Sequence, residues 1–187
     1  QLAETHADLC LRMNIPIAGL NAEVMKSQWE YQLQPQPALD AADSLWMSRF
    51  VLEKLAETRG IGINIDPKPV IGWNGSGAHI NISTKTTRDG TIDDVQSLCE
   101  ELGESHDDLI ASYGEDNEKR LTGQYETSSI DTFSHGELNR TVSVRIPMST
   151  VYSGSGHVED RRPASNMNPY VAFKTLVPII SGELSKV

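Results

Sequence analysis

Two glutamates, Glu23 and Glu30, flank the dipeptide Lys26-Ser27 at hairpin spacing. With Lys26-Ser27 as a two-residue turn, Met25 faces Gln28, Val24 faces Trp29 and Glu23 faces Glu30. Opposed carboxylates repel unless a cation lies between them. The pair is therefore a divalent-metal site or two solvent-facing acids. Lys-Ser is not a favoured hairpin dipeptide, which weakens the register. His79 lies on an alternating stretch, with Ala78, Ile80 and Ile82 on one side and His79, Asn81 and Ser83 on the other. A histidine facing two carboxylates suits Mg²⁺ or Mn²⁺, although oxygen ligands dominate such shells. A lone strand histidine is otherwise a hydrogen-bonded structural residue. The loop Asn74-Gly75-Ser76-Gly77 matches neither the Walker loop nor the dinucleotide fingerprint, so alone it reads as a turn. Arg120, Arg140, Arg145, Arg161 and Arg162 stand out in an acidic chain, because guanidinium forks bind phosphate and carboxylate. Any one of them alone reads as half of a surface ion pair. Glu159 and Arg161 share parity near Val158. Metal-type carboxylates together with several arginines point to phosphoryl transfer.

These residues need elements to place them. Gln1 to Met13 carries Leu2, His6, Leu9, Cys10 and Met13 at three- and four-residue steps, an amphipathic helix ended by Asn14-Ile15-Pro16. Ile17–Met25 and Gln28–Gln34 read as two strands. Asp40, with Asp43 three positions later, caps a long helix running to Arg59 and stopped by Gly60. Ile61–Ile65 is strand-like, and Asp66-Pro67-Lys68-Pro69 cannot be helix. Ala78–Thr84 is a half-buried strand. Thr91–Tyr113 reads as one long helix weakened by Gly103. Glu115–Ser129 is polar and irregular. Arg140–Ile146 alternates, and Asn168-Pro169 starts a last helix that Pro178 interrupts. The expected fold class is α+β, a curved, mainly antiparallel sheet backed by helices on one face, with the chemistry on the other.

The whole chain has 187 residues, 38% of them hydrophobic and 22% charged, with a formal net charge of −10. That composition excludes collagen, coiled coil and wholesale disorder. The acidity argues against nucleic acid as partner, since phosphate binding needs clustered Lys and Arg. No apolar stretch approaches the ~20 residues of a membrane helix, so no membrane partner is expected. Cys10 and Cys99 fall at apolar positions of helical patterns and read as buried free thiols in a reducing compartment. Three Asn-x-Ser/Thr triplets, at Asn74, Asn81 and Asn139, are expected to be chance.

The order of motifs resembles the glutamine synthetase family in its eukaryote-type (type II) branch. The resemblance is carried by Asn21-Ala22-Glu23-Val24-Met25, Gln28-Trp29-Glu30-Tyr31-Gln32, Leu45-Trp46-Met47 and Asp66-Pro67-Lys68-Pro69. It continues through Trp73-Asn74-Gly75-Ser76-Gly77 with His79, Arg120-Leu121-Thr122-Gly123, and Tyr125-Glu126-Thr127. Asn139-Arg140, Ser143-Val144-Arg145-Ile146-Pro147, Glu159 to Asn166 and Asn168-Pro169-Tyr170 complete it.

The resemblance implies ATP-dependent ligation of ammonia to L-glutamate through a γ-glutamyl phosphate, with ATP as substrate and two or three Mg²⁺ or Mn²⁺ ions per site. By the resemblance Glu23, Glu30, His79 and Glu159 are metal ligands. Asn74, Gly75, Arg120 and Arg161 bind substrate glutamate. Ser83, Arg140 and Arg145 face ATP, with Arg140 also on the transferring phosphate. Glu126 is the flap carboxylate that shields the intermediate and helps take a proton from ammonium. The implied assembly is a cytoplasmic homo-oligomer, a decamer of stacked rings with active sites between subunits. The implied domain organisation is a partial catalytic domain over 1–187. The family's N-terminal β-grasp domain and its upstream Glu-x-Glu strand are absent from this stretch. The full-length parent is expected to be active and this segment alone inactive. Met148 stands where the family usually has arginine, Tyr125 where the branch often has histidine, and the stretch before Trp73 is one residue short. Two other readings stay open: a non-catalytic structural relative, and a ligase joining glutamate to another amine.

Overall fold

Helix α1 (Leu2–Arg12) ends where Asn14 turns left-handed at φ 60. The Ile15 amide then reaches back to Cys10 O (2.9 Å) and the Asn14 amide to Leu11 O (3.1 Å). This closure returns Ile15 onto the buried side of the helix. The computed structural model describes residues 1–182 and divides into two compact units, Gln1–Asn64 and Ile65 onward. The first unit adds β1 (Ile17–Ala22), β2 (Trp29–Leu33) and α2 (Ala38–Glu57). Its core is Cys10, Ile15, Ile17 and Val51, flanked by Ala7, Leu9, Tyr31 and Leu33. Buried His6 donates from Nε2 to Ser48 O (2.9 Å) and meets the edge of Tyr31, whose hydroxyl pairs with Ser48 Oγ (2.8 Å).

Three expectations fail over this stretch. α2 begins at Ala38 with Pro37 before it, so Asp40 lies in the first turn and does not cap. Pro37, at φ −54, already sets the entry angle, and the carboxylate still favours the helix dipole. The hairpin register is also displaced. Asn21 pairs with Glu30 and Ala22 with Trp29, and the Glu23 amide donates to Gln28 O (3.0 Å). Lys26-Ser27 does form the turn, with Gln28 N on Met25 O (3.1 Å), but only Ser27 takes positive φ, at 67. Such a turn lacks the two left-handed residues that match strand twist. Val24 and Met25 drop out of the ladder in compensation, and Glu23 no longer faces Glu30. Val24 and Trp29 are exposed. Ile61–Ile65, expected as a strand, forms none.

The second unit runs β3 (Ile80–Ile82), α3 (Lys85–Asp89), α4 (Ile92–Glu104), α5 (His106–Ser112), a 3₁₀ turn (Asn117–Lys119), β4 (His135–Glu137), β5 (Val144–Ile146), α6 (Met148–Ser153), β6 (Val158–Asp160) and α7 (Pro169–Ile180). One four-stranded sheet has the order β3-β6-β5-β4. β6 is antiparallel to both neighbours, and β4 runs parallel to β5. The chain is thus α+β with mainly antiparallel pairing, as expected, except at the β4 edge. The expected single helix over 91–113 breaks at Ser105 into α4 and α5. Gly103 does not cause the break. It stays helical, and a Cβ there would meet the Phe133 ring at 2.6 Å. α7 starts as the sequence predicts, with the Asn168 side chain accepting from the amides of Tyr170 and Val171, and it continues through Pro178. Ile80, Ile82, Val144, Ile146 and Val158 from the sheet, and Val95, Leu98, Cys99, Leu102, Leu109, Ala172 and Leu176 from the helices, are buried. α3, α6 and β4 were not anticipated; each is six residues or fewer.

Candidate active site

The site is built on β6. Its period-two alternation, carried two residues past the strand's end at Asp160, divides Glu159-Asp160-Arg161-Arg162 between two faces. Asp160 and Arg162 go to the helix side, and both side chains are fully buried. Arg162 grips Asp160 with Nε on Oδ1 (2.9 Å) and Nη2 on Oδ2 (2.7 Å). The Tyr113 hydroxyl donates to Oδ2 (2.8 Å), and the Arg162 amide to Oδ1 (3.1 Å). Arg162 Nη1 donates to His106 Nδ1 (3.0 Å), while His106 Nε2 donates to Ile130 O (2.8 Å). The guanidinium also lies near the rings of Tyr113 and Phe133. Arg162, one of the anion-binding arginines in the sequence reading, is therefore a buried anchor. Tyr113, Asp160 and His106 were missed. The signal available was the unbroken acid-acid-arginine-arginine run, which any strand must split.

Glu159 takes the other face. It stands opposite Arg145 on β5 and Asn81 on β3. Arg145 Nε lies 2.5 Å and Arg161 Nη1 3.1 Å from Glu159 Oε2, and His79 Nδ1 lies 3.2 Å from Oε1. Burial would raise the Glu159 pKa, but the hydrogen bond from His79 and the charges of Arg161 and Arg145 outweigh it and hold the carboxyl down at about 2. Burial, with help from the charges of Arg120 and Arg161, pushes the His79 pKa down and keeps the ring neutral, although Glu159 pulls the other way. Arg120 Nη2 approaches His79 Nε2 at 3.3 Å. With Nε2 accepting there, the proton sits on Nδ1 and points at Glu159. Arg161 keeps a buried Nε with no hydrogen-bond partner, donor capacity that a ligand could use.

Arg120 is a pillar beneath this face. It is 3% exposed and donates to Arg161 O (2.7 Å), Arg162 O (3.2 Å) and Asn117 Oδ1 (3.4 Å). Burial, reinforced by the neighbouring Arg161, lowers its pKa to about 10. The pillar also explains the glycine-rich loop. A Cβ at Gly75 would meet Arg120 Cγ and Pro67 O, each at 2.7 Å, and one at Gly77 would meet Arg120 Nη2 and His79 Nε2. The glycines admit an arginine from below. The loop is pinned by Ser76 N on Pro67 O (2.8 Å) and by pairing of Gly77 with Ala164. Asn74 and Gly75 thus lie on a fixed loop, and Arg120 supports it from beneath while the substrate role assigned to it stays an expectation.

Glu126 sits on an arm that folds back on itself, with Thr122 bridged to Ser129. Thr127 N donates to Gln124 O (3.2 Å), and the two central residues, Tyr125 and Glu126, have φ 54 and 61. Such a turn favours glycine or asparagine. Left-handed backbone costs other residues about 1–2 kcal/mol each. Arg161 Nη2 donates to Glu126 O (3.3 Å), and Arg140 Nη1 lies 3.8 Å from the Glu126 carboxylate. That last pair is solvent-exposed and contributes little. Arg140 and Arg145 line a cleft of about 430 Å³ with Leu138, Pro147, Met148 and Ser149. Ser83 follows β3 and accepts from Arg88 Nη1 (2.9 Å), outside that cleft.

The other acids lie in the first unit. Glu30 Oε1 accepts from Gln32 Nε2 (3.2 Å) and Asn21 Nδ2 (3.4 Å), and Glu23 is exposed on the hairpin loop. Among the described residues no three His, Cys, Asp or Glu side chains cluster to hold a metal. His79 and Glu159 bring one imidazole nitrogen and one carboxylate, a donor set that fits part of a divalent-cation shell.

A family model described as glutamine synthetase, catalytic domain, matches residues 1–111 and 108–182. The chain belongs to the glutamine synthetase catalytic-domain family. It is 50% identical over 172 residues to a glutamine synthetase of Schizosaccharomyces pombe, covering 91% of this chain and 48% of that protein. It is 48% identical over 172 residues to glutamine synthetase cytosolic isozyme 2 of Vitis vinifera, covering 91% and 48%. Against the chloroplastic glutamine synthetase of Zea mays the identity is also 48% over 172 residues, covering 91% and 41%. The chain spans about half the length of the glutamine synthetases it matches. No helix among the described residues is long and apolar enough to cross a membrane.

Proposed function

We propose that the full-length protein is a glutamine synthetase, joining ammonia to L-glutamate at the expense of ATP through a γ-glutamyl phosphate. The observation that carries this reading is the Glu159 cluster: a carboxylate 3.2 Å from His79 Nδ1 and paired with both Arg145 and Arg161. Family membership over most of the chain supports it. In this reading His79 and Glu159 hold a divalent cation, Mg²⁺ or Mn²⁺, and Glu23 and Glu30 contribute to further metal positions. Bound metal would neutralise charge on the phosphates. Arg140 and Arg145, with Ser83, meet ATP; their forks take phosphate oxygens in the cleft they line. Arg161 clamps the glutamate carboxylate with its free donor, and Asn74 and Gly75 present the fixed loop to the same substrate. Glu126 closes over the intermediate, excludes water that would hydrolyse an acyl phosphate, and takes a proton from ammonium.

We further propose a cytoplasmic homo-oligomer of stacked rings, a decamer, with active sites between subunits. Residues 1–187 form part of its catalytic domain, with a β-grasp domain encoded elsewhere in the full-length chain. The test is glutamine and phosphate formation by the full-length protein from glutamate, ammonium, ATP and Mg²⁺. Expected are stoichiometric glutamine and phosphate, and loss of both with Glu159→Gln. Amide formation only with an amine other than ammonium would replace this reading by a different γ-glutamyl ligase. Failure to bind ATP with metal would leave a structural relative.

A further inference from the structure

Lys68 has so far no role. It lies in Asp66-Pro67-Lys68-Pro69, a bent stretch between two prolines, each of which fixes its own φ. Pro67 is buried, and its carbonyl holds the glycine-rich loop through Ser76 N (2.8 Å). From that footing the Lys68 side chain makes two contacts. Nζ donates to Trp73 O, at the start of the loop, and sits 4.0 Å from the centroid of the Tyr125 ring. A cation within about 6 Å of an aromatic face is attracted to it. Burial, and then the charge of Arg120, pushes the Lys68 pKa down, so the carbonyl and the ring face offset an unfavourable setting.

Tyr125 is also half of the left-handed pair at φ 54 and 61. Residues held in that region relax unless neighbours over-determine them. On the backbone side, Thr127 Oγ1 donates to Arg120 O (3.1 Å) and Gln124 O (2.8 Å), and Arg161 holds Glu126 O (3.3 Å). On the side-chain side, Lys68 holds the Tyr125 ring. We propose that Lys68 is a positioning residue: bridging Trp73 O and the face of Tyr125, it fixes the left-handed turn and with it the placing of Glu126. This rests on the reading of Glu126 as the carboxylate that closes over the intermediate.

The test is hydrogen exchange by mass spectrometry on the full-length protein, comparing peptides over 121–130 with reference peptides over 157–164. Lys68→Met speeds exchange of the 121–130 arm about three- to tenfold, as loss of a partly desolvated cation–π contact predicts, and leaves the reference unchanged. Lys68→Arg, which keeps the cation, and Tyr125→Phe, which keeps the ring, retain wild-type rates. Tyr125→Leu matches Lys68→Met, and the double variant Lys68→Met/Tyr125→Leu is no faster than either. In turnover, Lys68→Met lowers kcat and leaves KM for ATP unchanged. Unchanged exchange in Lys68→Met overturns the proposal. So does an arginine variant as loose as methionine, or a double variant whose effects multiply. Should Lys68→Met fail to fold, the Leu and Phe variants at Tyr125, a surface ring, decide the matter alone. A wild-type protein that makes no glutamine overturns the proposed function, while the exchange comparison still judges Lys68.

Discussion

Replacing Asp160 by asparagine should damage the protein far more than the loss of one atom's charge suggests. Both side chains of the Asp160–Arg162 pair are fully buried. The carboxylate accepts four hydrogen bonds, from Arg162 N, Nε and Nη2 and from the Tyr113 hydroxyl, at 2.7–3.1 Å. Asparagine keeps one oxygen and turns an NH₂ toward donors. It also leaves Arg162 as an uncompensated buried cation. Removing one partner of such a pair costs about 3–5 kcal/mol. Tyr113→Phe removes a single hydrogen bond to a charged group, about 1.5–3 kcal/mol. A domain has only about 5–15 kcal/mol to lose. The assay is urea unfolding read by Trp73 emission, with Trp29 and Trp46 changed to Phe so that only the second unit reports. The midpoint should fall in the order wild type, Tyr113→Phe, Asp160→Asn, at unchanged slope. An Asp160→Asn loss under about 1 kcal/mol, or a Tyr113→Phe loss as large as that of Asp160→Asn, would refute the account of β6 as anchored from behind.

Two other outcomes follow from the same geometry. Gly77→Ala drives a Cβ into Arg120 Nη2 and His79 Nε2; overpacking of this kind costs about 1–3 kcal/mol, and displacement of His79 should weaken Mn²⁺-dependent ATP binding measured by calorimetry in the full-length protein. Wild-type affinity would show that His79 tolerates the shift. Acidification should loosen the first unit: burial lowers the His6 pKa below 6.5 despite the opposing bond to Ser48 O, so the unfolded chain binds the proton more readily. This stability is present above pH 6.5 and is lost as pH falls through the folded-state value. Thermal melts read by Trp29 and Trp46, with Trp73 changed to Phe, should drop between pH 7 and about 5, and His6→Gln should remove part of that drop.

Much of this arrangement is legible in the residues themselves. Apolar steps of three and four forecast α1, the stop at Gly60 bounded α2, Asn168-Pro169 started α7, and the alternation at Ala78–Thr84 put His79 on the polar face beside Asn81. The shared parity of Glu159 and Arg161 holds in the structure. What escaped was set by tertiary partners or by single dihedrals. The hairpin register hangs on Ser27 alone adopting positive φ. The break at Ser105 had a local sign, since Ser105 with Asp108 three positions later has the form of a helix start. α3, β4 and α6 are too short to show a period. The pillar role of Arg120 was invisible because it depends on two glycines far away in sequence leaving room for it.

The four-residue run that begins on β6 and continues past its end has one more consequence. Shift the strand by a single position and Asp160 with Arg162 would face the ligand side, while Glu159 with Arg161 would face the helices. An acid and an arginine would still occupy each side, so charge hardly distinguishes the two phasings. They differ by one methylene, glutamate against aspartate. The shorter acid fits tightly under Tyr113, and the longer one spans to His79. The choice between near-synonymous readings therefore falls to Val158, fully buried beside Asp160 on the helix side, and to its pairing with Ile82. An aliphatic side chain that touches no substrate keeps the polar word from being read backwards through the sheet.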